Sequence, residues 1–274
     1  DRLDELLAKF ASGVEDTEPA SSHRFPANLT LPNLAYFLLA PTLCYQEAFP
    51  RRAGAVRKRH ALSLLARLVA LACAVVVVVQ QYVMPTLHAA VVAIDARDAP
   101  KALELLLELA LPVTYVWLAG FYAFFHVWLN LLAELLRFGD RQFYKAWWNA
   151  VTFEAYWRLW NIPVHHFIAR HVYFPALRGG ASKTTAGLLC FTLSAVLHEV
   201  VIALPLRATR APLAFLAMMA QVPLVSLTAH INRKVEGTAF SQLGNFLFWL
   251  VFCFLGQPVA VMIYFYLAVS SSSS

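Results

Sequence analysis

A histidine and a glutamate, His198 and Glu199, stand side by side about two-thirds of the way along an otherwise apolar run, residues 185–206. An ionisable side chain near the middle of a membrane-spanning helix costs at least about 2.5–3.5 kcal/mol on insertion scales. Such a residue faces protein or a water-filled cavity. A low-dielectric environment favours the neutral form of an imidazole, and a neutral imidazole accepts protons. The chemistry that fits is general-base activation of a hydroxyl, with His198 as the base. The plainer alternative is a hydrogen bond between packed helices. Glu199 is turned about 100° around a helix from His198, so it is expected to pair with another element or to hydrate a cavity. Ser194 lies one turn before His198, and nothing in its spacing makes it a nucleophile.

Other polar residues interrupt other apolar runs: His126 and Asn130, Gln221, Asn245 and Gln257. Singly, each is an ordinary helix–helix hydrogen-bonding residue. Together they point to a polar chamber at membrane depth.

The elements that must position these groups follow from composition. Of 274 residues, 60% are hydrophobic and 14% charged, and the mean hydropathy is +0.60. Soluble domains carry about 45–50% apolar and about 25% charged residues, so a soluble enzyme, a disordered chain and a secreted disulfide scaffold are excluded. Cys44, Cys73, Cys190 and Cys253 are widely separated, with no zinc-like spacing. No metal is expected.

A bilayer core needs about 20 apolar residues per helix. Five stretches qualify: residues 63–83, 112–133, 185–206, 212–231 and 245–269. A sixth run, residues 34–44, is short and holds Pro41, so it is expected at the interface or as a re-entrant segment. The formal net charge of +6 matches membrane topology better than nucleic acid, because the basic residues flank apolar runs. Arg51, Arg52, Arg57, Lys58 and Arg59 precede the first span, and residues 137–184 are basic, which puts that long loop on the cytoplasmic side. Arg207 and Arg210 oppose this weakly; Arg233 and Lys234 agree with it. Residues 1–33 read as a polar cytosolic segment without a leader, residues 34–269 as the membrane domain, and 270–274 as a serine tail. The sequon at Asn28 is expected to go unused on the cytosolic side.

The loop of more than 40 residues between the second and third spans needs a reason. Trp147, Trp148, Trp157 and Trp160 fall within 14 positions of it, with Phe143, Tyr144, Phe153, Tyr156, Phe167, Tyr173 and Phe174 around them. Aromatic rings interleaved with Arg and His belong at headgroup level. The segment therefore reads as interfacial amphipathic helices, or, more sharply, as a layer that roofs a chamber and holds an amphiphile's head group. Pro163 breaks it, and His165, His166 and His171 follow.

The strings Ala40-Pro-Thr-Leu-Cys-Tyr45, Leu132-Ala-Glu-Leu-Leu-Arg-Phe-Gly-Asp-Arg141, Phe143-Tyr-Lys-Ala-Trp-Trp-Asn149, Trp160-Asn-Ile-Pro-Val-His165, Arg170-His171, Ser194-Ala-Val-Leu-His-Glu199, Met219-Ala-Gln-Val-Pro223 and Gly256-Gln-Pro258 occur in this order. Across residues 25–266 the chain resembles the membrane-bound O-acyltransferases, in particular the acyl-CoA:diacylglycerol acyltransferases of the type-1 class. The sterol acyltransferases share the FYxDWWN pattern and the His-Glu pair; the Asn-Ile-Pro-Val-His and Gly-Gln-Pro strings look like the diacylglycerol branch.

The resemblance implies an all-α, polytopic helical bundle around an intramembrane reaction chamber. It also implies a chain of about nine spans, of which this sequence holds the C-terminal part. The implied activity is transfer of a fatty acyl group from acyl-CoA to the hydroxyl of diacylglycerol, with His198 as base, Asn149 and Gln257 as candidate oxyanion donors, and Glu199 beside them in the catalytic group. Phe143, Tyr144, Trp147, Trp148, Asn161, His165, Arg170, His171, Met219 and Gln221 are the implied substrate-binding positions. Acyl-CoA is a substrate, so no cofactor is implied. The implied setting is the endoplasmic reticulum membrane, as a homodimer or higher homo-oligomer among membrane lipids and without nucleic acid. The alternatives are a sterol or wax-alcohol acyltransferase and, from another class, a non-catalytic lipid-binding or transport protein. Two departures stand out: Ala146 where the pattern has Asp, and Tyr266 with Leu267 where it has His-Asp.

Overall fold

A computed structural model describes residues 26, 28–46, 49–206, 212–238 and 240–272. The polar segment before residue 26, Arg207 and Arg210, and the last two serines lie outside the described residues. Among those described there is no strand; a lone antiparallel bridge joins Arg51 and Phe138.

All five expected spans are helices long and apolar enough to cross a membrane. The first two are longer than their apolar runs. Helix α2 covers Lys58–Asp95 and α3 covers Ala99–Leu135, 38 and 37 residues, or about 55 Å each at 1.5 Å per residue, well over a bilayer core. The polar residues between them do not form an extended loop. Arg97 adopts a left-handed conformation, φ 57°, and Asp98 Oδ1 accepts from Lys101 N at 3.1 Å, so the chain reverses within Ala96–Asp98 and α3 starts at once. Pro112, expected at a helix start, lies inside α3. Each long helix contains a π-helical stretch, Val79–Val83 and Tyr122–Trp128.

The short apolar run folds as helix α1, Leu31–Leu39, with the Thr30 side chain accepting from Asn33 N at its start. Asn28 of the sequon is buried and donates to the Tyr45 hydroxyl at 2.9 Å.

The aromatic segment contains α4, Phe153–Trp160, and α5, Ile162–Ile168, then a π-helical turn at Ala169–Tyr173 and α6, Phe174–Arg178. Helix α7 is Lys183–Leu206. Helices α8, Leu213–Met219, and α9, Gln221–Val235, make the fourth span. Helix α10, Leu243–Leu250, passes through a π-helical stretch, Val251–Gly256, into α11, Gln257–Ser272, to make the fifth.

The chain divides into two compact units. The first holds the described residues up to Leu71 with Phe121–Phe143. Its helix pair meets through Ala61, Leu64, Val127 and Leu131, and its polar centre is Glu134, fully buried. Glu134 accepts from Arg57 Nη2 at 2.7 Å, from Arg141 Nη2 at 3.1 Å and from Arg52 Nη2 at 3.1 Å. The Arg57 backbone N–H adds a bond of 2.8 Å. A buried carboxylate is tolerated because every lone pair is met by a donor, most of them charged.

The second unit holds Ala72–Gly120 and Tyr144 onward. Here Val83, Leu87, Leu109 and Val113 pack against Val261, Met262 and Phe265 of α11. Elsewhere the long helices turn Leu and Val outward, as at Leu62, Val69 and Leu111. Such surface is ruinous in water and ordinary against lipid tails.

Candidate active site

His198 lies in the second unit on α7, a helix whose Ala186, Ala195 and Ala203 are buried. Its Nδ1 is 2.7 Å from the Ser194 carbonyl oxygen. A carbonyl can only accept, so Nδ1 carries the hydrogen and the lone pair of the neutral ring sits on Nε2. The Ser194 hydroxyl is 3.4 Å from the same protonated nitrogen, so the imidazole cannot deprotonate it. In this tautomer Nε2 is the ring atom left free to accept.

The Trp157 and His198 rings meet edge to face at a centroid distance of 6.4 Å and an interplanar angle of 82°. The Trp157 indole N–H donates to Gln221 Oε1 at 3.1 Å, and the Gln221 amide reaches the Met218 sulfur at 3.7 Å. His198, Trp157 and Gln221 thus form one group drawn from α7, α4 and α9. In the sequence Trp157 is one loop aromatic among several. Its one distinguishing signal is that α4 is strongly two-sided, with Phe153 and Tyr156 buried.

Glu199 points elsewhere. Its Oε2 accepts from Phe215 N at 2.9 Å and from the Tyr264 hydroxyl at 3.5 Å, while that hydroxyl accepts from Ala214 N at 2.7 Å. Glu199 and Tyr264 therefore take up free N–H groups at the start of α8 and tie α7, α8 and α11 together. The expectation that Glu199 pairs with another element is met.

The Phe143–Asn149 stretch is held from two sides. Lys145 N donates to Leu159 O at 2.8 Å. From α10, Asn245 Nδ2 donates to the Trp148 and Ala150 carbonyls at 2.7 and 3.0 Å, and Trp249 Nε1 donates to Trp148 O at 3.1 Å. Gly244 makes this approach possible, since a Cβ there would overlap the Val151 carbonyl oxygen. Trp147 is 2% exposed and meets Trp117, Tyr156 and Trp249 at 5.5–5.9 Å. Burial raises the Tyr156 phenol pKa, so that hydroxyl stays protonated. Trp148 is exposed, Tyr144 is half-buried, and Phe143 is buried in the first unit. Ala146 begins the 3-10 turn Trp147–Asn149 with no side-chain cap, so the turn lacks the acceptor an Asp would provide.

The remaining expected positions are more scattered. Asn161 Oδ1 accepts from Val164 N and caps α5. His165 is half-buried; burial, with the nearby charges of His166 and Arg158, lowers its pKa to about 4. His171 Nδ1 bonds Phe167 O at 3.0 Å on the exposed side, where Arg170 is exposed as well. Met219 ends α8, Asn149 is exposed, and Gln257 opens α11 half-buried. Among the described residues no hydrogen bond joins Asn149, Gln257, His165 or Arg170 to His198, and no three His, Cys, Asp or Glu side chains gather as metal ligands would. Tyr266, at the departure from the His-Asp pattern, donates to Asp95 Oδ1 at 3.0 Å and joins α11 to the end of α2.

The sequence profile of the membrane-bound O-acyltransferase family matches residues 12–266. Over 242 residues, 88% of this chain and 46% of the relative, the chain is 45% identical to diacylglycerol O-acyltransferase 1C of Glycine max. It is 45% identical to diacylglycerol O-acyltransferase 1 of Arabidopsis thaliana over 95% of this chain and 48% of the relative. The corresponding protein of Dictyostelium discoideum is 37% identical over 90% and 39%. The chain spans less than half the length of each of these relatives.

Proposed function

The chain belongs to the membrane-bound O-acyltransferase family, and from that premise we propose that it transfers a fatty acyl group from acyl-CoA to the free hydroxyl of diacylglycerol, giving triacylglycerol and CoA. The names of the relatives support this acceptor. The observation that carries the mechanism is the bond from His198 Nδ1 to the Ser194 carbonyl, which leaves Nε2 as a base beside a half-buried polar group.

An alcohol is a poor nucleophile at neutral pH and needs a base within hydrogen-bond reach. As the diacylglycerol oxygen bonds to the thioester carbonyl carbon, its proton passes to Nε2. The tetrahedral adduct then collapses, the carbon–sulfur bond breaks, and the departing thiolate takes the proton back from the imidazolium. No acyl-enzyme is formed. Asn149 and Gln257 are assigned as donors to the oxyanion in the assembled site. Gln221, with Met219 beside it and Trp157 between it and His198, lines the approach of the acceptor. Glu199 and Tyr264 hold the helix that carries the base. Tyr144, Trp147, Trp148, Asn161, His165, Arg170 and His171 belong to the layer that takes the CoA head, and Phe143 is a further substrate-binding position. Diacylglycerol enters laterally from the bilayer into the chamber. The protein acts in the endoplasmic reticulum membrane as a homo-oligomer.

Incubating the purified protein with labelled oleoyl-CoA and a panel of diacylglycerol, sterol and long-chain alcohol acceptors tests this reading. Label in triacylglycerol, lost in His198→Gln at equal expression and equal acyl-CoA binding, is the expected result. Label in a sterol or wax ester overturns the acceptor, and undiminished turnover by His198→Gln overturns the base.

A further inference from the structure

The first unit carries a surface that holds none of the residues assigned above to acyl transfer. Along α1, Leu31, Leu34, Leu38 and Leu39 share one face, spaced as a single helical stripe, and are 49–81% exposed. The opposite face is aromatic. Tyr36 and Phe37 meet Phe49 at 5.7 and 6.1 Å, and Phe37 meets Tyr45 at 5.5 Å. At nine residues α1 is too short to persist alone in water. Its aromatic underside holds it so that the leucines point outward.

The side of α1 away from this stripe is cationic. The Arg51 guanidinium lies 4.2 Å over the Tyr36 ring, and Arg51, Arg52, Arg57, Lys58 and Arg59 fall within nine positions. Glu134 is shared by three guanidiniums, those of Arg52, Arg57 and Arg141, so its single charge leaves a surplus of two. Arg51, Arg57, Lys58 and Arg59 are exposed. This cation cluster stands where the first membrane-spanning helix begins, at Lys58.

We propose that α1 and the Arg51–Arg59 stretch form a docking surface for an anionic membrane leaflet, with the leucines entering the acyl boundary and the cations meeting lipid phosphates. An apolar helix face combined with clustered Lys and Arg beside a membrane span is the combination that senses anionic lipid. Charge complementarity selects lipid phosphates as the occupant, because with the leucines in the acyl boundary the Arg51 side of α1 is turned to the headgroups. The surface stands on observations independent of His198 and of any turnover.

Hydrogen–deuterium exchange of the purified chain tests this, in nanodiscs of phosphatidylcholine alone and of phosphatidylcholine mixed with phosphatidylserine. Amides of residues 31–39 are expected to exchange several-fold more slowly in the anionic discs, and added salt is expected to shrink the difference. The Arg51→Gln, Lys58→Gln, Arg59→Gln triple variant, which leaves the Glu134 cluster intact, is expected to lose the difference between lipids. Leu34→Ser with Leu38→Ser is expected to lose protection in both. Unchanged exchange in Lys183–Leu206 reports that the variants are folded. Equal exchange of the unmodified chain in the two lipids overturns the proposal, with no variant needed. Protection in neutral discs on adding inorganic phosphate also overturns it, in favour of a soluble ligand. Protection that follows the number of chains per disc overturns it in favour of a second copy.

Discussion

The His198 imidazole donates from Nδ1 to the carbonyl oxygen of Ser194, one helical turn earlier, across 2.7 Å. The partner is backbone, so it survives any change of the residue 194 side chain. Ser194→Ala is therefore expected to keep turnover within a few-fold, whereas His198→Gln loses about 10²–10⁴-fold, the usual size of a general-base contribution. Steady-state acyl transfer with both variants checks this. A Ser194→Ala enzyme as inactive as His198→Gln would mean that the hydroxyl, and not the carbonyl, sets the ring.

Gly244 and Asn245 fasten the aromatic stretch to α10. Gly244→Ala must push a Cβ against the Val151 carbonyl, with an expected cost of about 1–3 kcal/mol or more. Asn245→Ala leaves the Trp148 and Ala150 carbonyls without this donor, at about 1–3 kcal/mol. Thermal unfolding followed by tryptophan fluorescence reads both, since Trp147, Trp148 and Trp249 lie at the junction. A Gly244→Ala protein of unchanged stability would show that the close approach is dispensable.

Glu134→Gln takes the charge from three guanidiniums. Breaking a buried pair from one side costs about 3–5 kcal/mol. The lower end is expected here, because the Arg57 side chain is 52% exposed and can turn to water. The unfolding midpoint in detergent should fall, and adding Arg57→Met to Glu134→Gln should recover part of the loss.

His165 provides a pH dependence. Its folded pKa of about 4 lies below the unfolded value of about 6.5, so in that interval the unfolded chain binds the extra proton. Stability is expected to be fully present above about pH 6.5 and to decline as pH falls towards about 4. Unfolding midpoints at neutral pH and near about pH 5 should differ more for the native chain than for His165→Phe. Equal slopes would remove His165 as the source.

Ala146→Asp supplies the missing acceptor at the start of the Trp147–Asn149 turn. A cap contributes about 0.5–2 kcal/mol, so a higher unfolding midpoint is expected, with acyl-CoA affinity or turnover rising alongside. An unaffected protein would show that the turn is fully held by Asn245 and Lys145.

The five spans were legible because a bilayer demands a long apolar run, and no other fold puts so many in one chain. Their ends were not. The apolar runs stop at 83 and resume at 112, yet Asp98 caps α3 at once and the helix passes straight through Pro112. His198 stood out by its type and surroundings, but which nitrogen carries the lone pair depends on a carbonyl that no sequence pattern displays. Glu134 lay unremarked inside a leucine-rich string, because Arg52 and Arg57 are about eighty positions away and only the fold brings them to it. Tyr264 was hidden for the same reason, since it meets Glu199 across 65 positions.

The π-helical stretch between α10 and α11 gives one rod two bearings. Each residue added or removed swings everything beyond it by about 100°. Above the stretch the rod grips the tryptophan layer through Asn245 and Trp249, and below it the rod reaches the start of α8 through Tyr264. A single-residue deletion within Val251–Gly256 would leave the rod apolar and long enough to span, yet only one end could still be in register. Its length within the bilayer is therefore forgiving, while its phase is not.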